Sequence, residues 1–242
     1  MSADDQNLRA QIWDWAKTIG AAFVAYTAFT TVAFANYRIP SESMVPHIEV
    51  GDRVAVSKFA YGFSRYSLPF NASSLLPASA QRLFGHLPRR GDVVVFIHPV
   101  TGETMIKRAI GLPGDVIQVR DGDLIINGAA VETSPRELIN RTAFERGAET
   151  AQRYDEQLPD GLRHATHNLS NHAPLDNFGP YTVPDGYLFF MGDNRDNSLD
   201  SRWDGMGAVP VENLIGRAEI VYATHLGDDP SAIPRWMRPL HQ

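Results

Sequence analysis

The most constraining feature of the sequence is an uncharged run near its start, TIGAAFVAYTAFTTVAFA, at positions 18–35. As a helix, a run of this length spans about 27 Å, close to the roughly 30 Å hydrocarbon core of a bilayer. Trp13 and Trp15 precede the run and Tyr37 follows it, which suits the aromatic belts at the two membrane interfaces. These features predict a single transmembrane anchor at 18–36.

A cleavable signal peptide is the competing interpretation of this run, because its last three residues, AFA, resemble a cleavage site of the A-x-A type. However, the run is longer than the usual apolar segment of a signal peptide, and the residues before it are mixed in charge. A retained anchor is therefore favoured. Positive residues on its two sides are nearly balanced, so charge does not determine its orientation.

Charge and composition exclude several classes of function. The net charge of -6 argues against a protein that mainly binds nucleic acid. The absence of cysteine excludes disulfides, thiolate chemistry and cysteine-based metal sites. Among the 22 basic residues only Lys17, Lys58 and Lys107 are lysines. Because a buried lysine can lose its proton whereas arginine effectively never does, each lysine is a candidate for chemistry.

Beyond the anchor, short alternating or β-branched runs bounded by turn residues predict a mainly β protein. The run at 115–131 contains two strands, with turn signals at Asp121-Gly122-Asp123 and Asn127-Gly128. The best candidate for a further helix is the polar segment 135–157. Residues 64–90 are irregular and rich in proline, which predicts a long surface loop; a loop at the bilayer interface is the alternative.

Four segments contain the candidates for chemistry: PSESM at 40–44, RRGDVVVF at 89–96, MIKRAIGLPGD at 105–115 and GDNRDNSLDSR at 192–202. A serine nucleophile needs a base, yet no histidine stands in a recognisable triad context and no G-x-S-x-G elbow is present. Lys107 follows two apolar residues on a predicted strand. Since burial lowers the pKa of an amine, this lysine is the candidate base.

In this order, after an N-terminal anchor, the four segments resemble the bacterial type I signal peptidases (leader peptidases), membrane serine proteases with a Ser–Lys dyad. The resemblance implies a serine endopeptidase that removes signal peptides from exported preproteins after small-x-small sites. It implies Ser43 as the nucleophile and Lys107 as the general base, with the Ser41 hydroxyl and the Ser43 N–H forming the oxyanion hole. Pro40 and Pro46 would stiffen the serine turn.

The resemblance also implies supporting residues. Ser198 is expected to hydrogen-bond the Lys107 amine, and Asp200 and Arg202 to form a buried ion pair that braces their loop. Shallow apolar pockets for small substrate residues are expected along five positions, for each of which ordinary core packing is the alternative: Ile39, Met44, Val54, Met105 and Ile106.

The chain departs from the family pattern at two places. Glu42 stands where the family often has glycine, and His47-Ile48 stand where it often has Thr-Leu. Glu42 is expected to point to solvent or to contact substrate, because a carboxylate facing the dyad would favour the protonated amine.

The predicted fold class is mainly β: an antiparallel-sheet catalytic domain with an inserted subdomain, preceded by one transmembrane helix. No metal and no cofactor are expected. The expected partners are secretory preproteins and membrane lipid, with the export channel as a further candidate and no nucleic acid. The expected location is the bacterial cytoplasmic (inner) membrane, single-pass, with the catalytic domain on the outer, periplasmic face. The predicted division is a tail at 1–17, the anchor at 18–36, the catalytic domain at 37–118 and 186–228, the insertion at 119–185 and a tail at 229–242.

Other functions compete with this hypothesis. A self-cleaving repressor is opposed by the membrane segment and the acidic charge, whereas a peptidase specialised for pilin or conjugation proteins would have the same motifs. A membrane-anchored metal-binding β protein is the alternative from another class. Its candidate sites are the loop DNRDNSLD, where Arg195 breaks an EF-hand pattern, and HATHNLSNH, with His164, His167 and His172 but no H-E-x-x-H.

Overall fold

A computed structural model describes residues 3–68, 76–77, 82–143, 147–170, 173–224 and 237–240, with only the backbone at 3–10 and 27–32. The predicted class is confirmed: one N-terminal helix precedes antiparallel sheets. The elements are α1 (Ala3–Ala33), β1 (Phe34–Arg38), β2 (Arg53–Ser57), β3 (Val93–Ile97), β4 (Thr104–Gly111), β5 (Val116–Arg120), β6 (Asp123–Ile126), β7 (Ala129–Ala130), β8 (Glu132–Ala143), β9 (Gly147–Gln157), β10 (Arg163–Asn168), β11 (Phe178–Thr182), β12 (Tyr187–Met191), β13 (Val209–Pro210), β14 (Leu214–Ala223) and β15 (Arg238–Pro239).

The helix α1 includes most of the predicted anchor but ends earlier than expected. The anchor was predicted to reach residue 36, whereas the backbone leaves the helix after Ala33, and Phe34 to Asn36 pair with β2 as part of β1. Side chains at 27–32 of the predicted anchor lie outside the described residues. In the part of the chain that the structure describes, no helix is long and apolar enough to cross a membrane.

The main sheet has the strand order β1-β2-β14-β3-β4-β12-β13, with β15 paired to β14. Strand β4 lies between β3 and β12, and its register places Lys107 opposite Val94 and Arg108 opposite Met191. β-Branched residues suit this central position because they pack well on a pleated surface that is covered on both sides. The sheet therefore holds Lys107 on a strand with neighbours on either side.

Two apolar clusters cover the two faces of the main sheet. Because side chains alternate along a strand, Val93 and Val95 of β3 join one cluster, and Val94 and Phe96 join the other. Ile106 of β4 belongs to the first cluster. Lys107, its neighbour, consequently projects to the opposite face.

The predicted insertion is a pair of smaller sheets, ordered β11-β5-β6-β7 and β10-β9-β8. The predicted turn at Asp121-Gly122-Asp123 joins β5 to β6, and Asp121 and Gly122 have the positive φ values that such turns require. The four-stranded sheet already begins at Val116, three residues before the predicted start of the insertion. It ends at Thr182 of β11.

The prediction of a helix at 135–157 is wrong, because this segment contributes to the antiparallel strands β8 and β9. Its charged residues pair across the two strands, as with Arg136 and Asp155, and Arg141 lies opposite Glu149. Cross-strand pairs of opposite charge stabilise a hairpin whose outer faces are solvated. Strand pairing has therefore overridden the weak helical pattern.

Part of the irregular segment 64–90 lies outside the described residues, namely 69–75 and 78–81. Its described end is tied to the main domain by Arg82, whose guanidinium donates to the carbonyl oxygens of Gly62 and Val211 at 3.2 Å each. Leu83 also pairs with Phe63 through backbone hydrogen bonds of 2.8 and 2.9 Å. This part of the segment is thus packed on the domain.

Candidate active site

The turn after β1 holds Ser43 in a closed loop of backbone. Ile39 N–H donates to the Asp52 carbonyl at 2.9 Å, and Gly51 N–H donates to the Ile39 carbonyl at 2.8 Å. Inside this loop, Ile48 N–H donates to the Met44 carbonyl at 2.9 Å. The loop is therefore fixed at its base, and the Ser43 side chain is held in a largely buried position.

Lys107 brings its amine from β4 to this serine. Its Nζ lies 2.6 Å from Ser43 Oγ and 3.0 Å from the Ile106 carbonyl oxygen, and only 3% of the residue is exposed. Burial lowers the pKa of the Lys107 amine to about 8, although the negative charges of Asp200 and Asp193 oppose this shift. A buried amine with this pKa can accept a proton from a hydroxyl close to neutral pH.

The other two lysines lie in different surroundings. Lys17 is exposed on α1 and forms an ion pair with Asp14 at 3.3 Å. Lys58 is buried, and its Nζ donates to the Leu68 carbonyl at 3.4 Å. Burial also lowers the pKa of Lys58, so the low pKa alone does not single out Lys107; the distance to Ser43 does.

The loop that follows β12 is braced by a buried ion pair between Asp200 and Arg202. Arg202 Nε donates to Asp200 Oδ1 and Arg202 Nη2 donates to Asp200 Oδ2, both at 2.9 Å. Gly192 N–H also donates to Asp200 Oδ2 at 2.9 Å, and Arg202 Nη2 donates to the Arg195 carbonyl at 2.6 Å. Burial alone would raise the pKa of Asp200, but Arg202 and the Gly192 N–H outweigh it and lower that pKa.

This braced loop contacts the serine turn directly. Asn194 N–H donates to the Ser43 carbonyl at 3.1 Å, and Asn194 Nδ2 donates to the Glu42 carbonyl at 3.2 Å. At Gly192 the two segments approach so closely that a Cβ would lie 2.5 Å from the Ser43 carbonyl oxygen and 2.3 Å from Ser198 Oγ. Only glycine fits this approach.

The predicted hydrogen bond between Ser198 and the Lys107 amine is not formed. The described hydrogen bonds of the amine go instead to Ser43 Oγ and to the Ile106 carbonyl. Ser198 is buried, and its hydroxyl makes no well-formed hydrogen bond among the residues that the structure describes, although it lies near enough to Asp200 to help lower the pKa of that carboxyl. The structure thus brings Ser198 to the site without the predicted contact.

A cleft of about 240 Å³ opens over the dyad and includes the exposed Ser41, whose Oγ lies 3.5 Å from Ser43 Oγ. The cleft is lined by Pro40, Ser41, Glu42, Ser43, Met105, Lys107, Asn197 and Leu199.

Of the five predicted substrate-binding residues, only Met105 lines this cleft. The other four are buried in the apolar cluster on one face of the main sheet: Ile39, Met44, Val54 and Ile106. These positions fit the alternative of ordinary core packing. For Ile106, alternation along the strand turns the side chain away from the face of Met105 and Lys107.

A second buried ion pair lies beside the dyad and was missed from the sequence. Arg108 Nε donates to Asp193 Oδ1 at 2.8 Å, and Arg108 Nη2 donates to Asp193 Oδ2 at 2.6 Å. Burial alone would raise the pKa of Asp193, but Arg108 holds it well below its usual range. Arg108 follows Lys107 and Asp193 precedes Asn194, so both lie inside the motifs quoted above. They are 85 positions apart, and no local sequence pattern indicates that they pair.

Two of the three histidines considered for metal binding, His164 and His167, are buried near this second pair. His164 Nε2 lies 3.8 Å from Asp193 Oδ1 and 3.4 Å from Glu156 Oε2, and burial lowers the pKa of both His164 and His167. His172 lies outside the described residues. Across the described ranges, no group of three or more His, Asp or Glu side chains is arranged to hold a metal ion.

Comparison with known proteins identifies the family. The family model described as "Signal peptidase, peptidase S26" matches residues 12–223. The chain belongs to this family. It is therefore a peptidase of the serine type, as predicted from the resemblance.

Curated relatives span most of the chain. It is 34% identical to a signal peptidase I of Rickettsia typhi over 220 residues, which cover 85% of this chain and 81% of the relative. It is 37% identical to a signal peptidase I of Rickettsia massiliae over 196 residues, which cover 77% and 70%. A crystal structure of a signal peptidase I from Enterococcus faecalis is 25% identical and covers 55% of this chain and 97% of that one, with a TM-score of 0.32.

Proposed function

We propose that this family member is a membrane-anchored serine endopeptidase that removes signal peptides from exported preproteins, with Ser43 as nucleophile and Lys107 as general base. The observation that carries the proposal is the 2.6 Å distance between Lys107 Nζ and Ser43 Oγ inside a buried, preorganised site. The named relatives, which are signal peptidases I, supply the substrate class.

In the first step, the neutral Lys107 amine takes the proton of the Ser43 hydroxyl while Oγ attacks the carbonyl carbon of the scissile bond. The negative charge that develops on the carbonyl oxygen is stabilised by the Ser43 N–H and the Ser41 hydroxyl, whose Oγ is 3.5 Å from Ser43 Oγ. A preorganised donor of this kind is typically worth about 3–4 kcal/mol.

In the second step, the Lys107 ammonium returns its proton to the leaving amine as the peptide bond breaks, leaving an ester at Ser43. Water then attacks the ester while the neutral Lys107 accepts a proton from it. As the bond to Ser43 Oγ breaks, Lys107 returns that proton to Oγ, which restores the serine hydroxyl and frees the carboxyl group of the departing signal peptide. Neither step needs histidine. The low pKa of the buried amine is what allows the lysine alone to act as base and then as acid.

The proposed preference for small side chains at the site of cleavage rests on membership of the family. Met105 and Leu199 are apolar side chains that line the cleft of about 240 Å³ next to Ser43, where a substrate side chain would contact them.

The proposal includes attachment to the bacterial cytoplasmic membrane through the N-terminal segment, with the catalytic domain on the outer face. Its support is the uncharged run at 18–35, and Ser43 follows that run by only eight residues. Such a position would bring the nucleophile near the lipid surface, where a membrane-embedded signal peptide ends. Secretory preproteins and membrane lipid are the proposed partners, and the export channel is a further candidate.

The test is cleavage of a purified preprotein by the full-length chain, with the new N-terminus of the product sequenced. We expect cleavage after a small-x-small sequence, no effect of a chelator, and loss of turnover in Ser43→Ala. Ser134→Ala, on the exposed strand β8, is the control and should retain activity. Full turnover by Ser43→Ala, or cleavage that depends on a metal ion, would contradict the proposal.

A further inference from the structure

Glu42, the residue between the two serines of the nucleophile turn, is buried with only 5% of its surface exposed. The sequence predicted a solvent-facing or substrate-contacting carboxylate. A buried carboxylate is costly unless it is paired and hydrogen-bonded, so its partners must be supplied by the surrounding structure. Glu42 and Lys107 line the same cleft.

A charged partner of Glu42 comes from the inserted hairpin. Arg141, on β8, donates from Nη2 to Glu42 Oε1. Arg141 is itself held by Glu149, the residue opposite it on β9, whose Oε1 lies 3.4 Å from Arg141 Nη1. Asn197 Nδ2 is 3.5 Å from the other carboxylate oxygen of Glu42. The carboxylate is thus bound between the hairpin and the loop that follows β12.

This arrangement couples the hairpin to the placement of the nucleophile. Glu42 precedes Ser43, and the two carbonyl groups of these residues both accept hydrogen bonds from Asn194. Arg141 holds the Glu42 side chain of the same turn. Displacement of the turn by about 1 Å would separate Ser43 Oγ from Lys107 Nζ, and misplacement of that size can cost about 100-fold in rate.

The ion pair also affects charge within the cleft. An uncompensated Glu42 carboxylate would attract a positive charge and so favour the protonated form of Lys107, which cannot act as base. Asp193 and Asp200 already act on Lys107 in that direction, and each is balanced by its own arginine, Arg108 and Arg202. The third carboxylate, Glu42, lines the same cleft as Lys107 and is paired with Arg141.

We propose that Arg141 is a positioning residue of this peptidase: by binding Glu42, the inserted hairpin fixes the Ser43 turn and screens a carboxylate from Lys107. The inference rests on the proposed function for its catalytic meaning. Its contacts, and their effect on Lys107, can be measured without substrate. It assigns a role to a hairpin for which the sequence suggested none beyond a solvated insertion.

The test uses the three lysines of the chain, which give few signals in a protein labelled with ¹³C-lysine. The Lys107 signal, identified by its loss in Lys107→Met, is titrated by NMR in wild type, Arg141→Gln and the double variant Glu42→Gln, Arg141→Gln. We expect Arg141→Gln to shift the titration of Lys107 to higher pH and the double variant to shift it back. Arg136→Gln is the matched control, because Arg136 lies on the same strand but pairs with Asp155.

Preprotein cleavage by the same proteins gives the second readout. We expect kcat of Arg141→Gln to fall about tenfold or more with little change in KM. Unfolding would also move the Lys107 titration to higher pH, because a solvated lysine titrates at about 10.4. The titration is therefore read on protein that circular dichroism shows to be folded, and the return in the double variant separates the two causes. An unchanged Lys107 titration in Arg141→Gln would overturn the inference. Failure of the wild type to cleave a preprotein would contradict the proposed function instead and leave the titration result intact.

Discussion

Asn194 N–H donates a 3.1 Å hydrogen bond to the Ser43 carbonyl, which joins the loop after β12 to the turn after β1. The two residues are far apart in sequence, and Lys107, on β4, completes the site from a third segment. Each segment is fixed by its own contacts. A closed backbone loop holds Ser43, and neighbouring strands hold Lys107. The Asp200–Arg202 pair braces the loop that contains Asn194. The short distance between amine and hydroxyl follows from rigid elements rather than from one flexible loop.

The pH dependence of activity should report the Lys107 amine. Its pKa is lowered by burial to about 8, so the neutral form that acts as base predominates above that pH and is lost below it. We expect kcat/KM to fall about tenfold per pH unit on the acid side of 8. Measurement of kcat/KM against pH checks this. A flat profile through this range would mean that a group of much lower pKa acts as the base.

Breaking the pair of Asp200 and Arg202 should destabilise the fold. Arg202→Met leaves a buried carboxylate without its cation and should cost about 3–5 kcal/mol of unfolding free energy, measured by urea denaturation. The pKa of Asp200 is lower in the folded chain than in the unfolded chain. The contribution of Asp200 to the free energy of unfolding is therefore present above the unfolded pKa and is lost as the pH falls through the folded pKa.

The control for that experiment is the partly exposed pair of Arg217 and Glu219, whose side chains are 30% and 21% exposed. Arg217→Met should cost at most about 1 kcal/mol. Equal losses at the two sites would show that the buried pair does not brace the loop.

Gly192 should tolerate no side chain. In Gly192→Ala the new Cβ would lie 2.5 Å from the Ser43 carbonyl oxygen and 2.3 Å from Ser198 Oγ, so the serine turn must move away from Lys107. We expect kcat to fall about 100-fold. Gly20→Ala, where nothing lies within 4 Å of the added Cβ, should leave kcat unchanged. A normal kcat for Gly192→Ala in preprotein cleavage would mean that the two segments adjust freely.

The sequence was most informative where chemistry and local pattern coincide. The strands at 115–131 were predicted because β-branched runs and the turn at Asp121-Gly122-Asp123 are local signals. The approach of Lys107 to Ser43 joins residues 64 positions apart, and it was predicted from the resemblance of their motifs to a known family.

The features that were missed depend on long-range packing. The pairing of Arg108 with Asp193, and of Glu42 with Arg141, joins residues 85 and 99 positions apart. The wrong helix at 135–157 has the same origin, because its polar residues are stabilised by partners on the opposite strand. Ile106 was expected to line a pocket because of the family resemblance, whereas alternation along β4 places it in the core.

We propose that the Lys107 amine removes the Ser43 proton. This is tested most directly by the kcat of Lys107→Arg in preprotein cleavage. Lys58→Arg is the matched control. Arginine keeps the positive charge but does not lose its proton, so we expect Lys107→Arg to lose at least about 100-fold in kcat. Lys58→Arg, which changes a lysine that donates to a backbone carbonyl, should stay close to wild type. Turnover by Lys107→Arg within about tenfold of wild type would contradict the account.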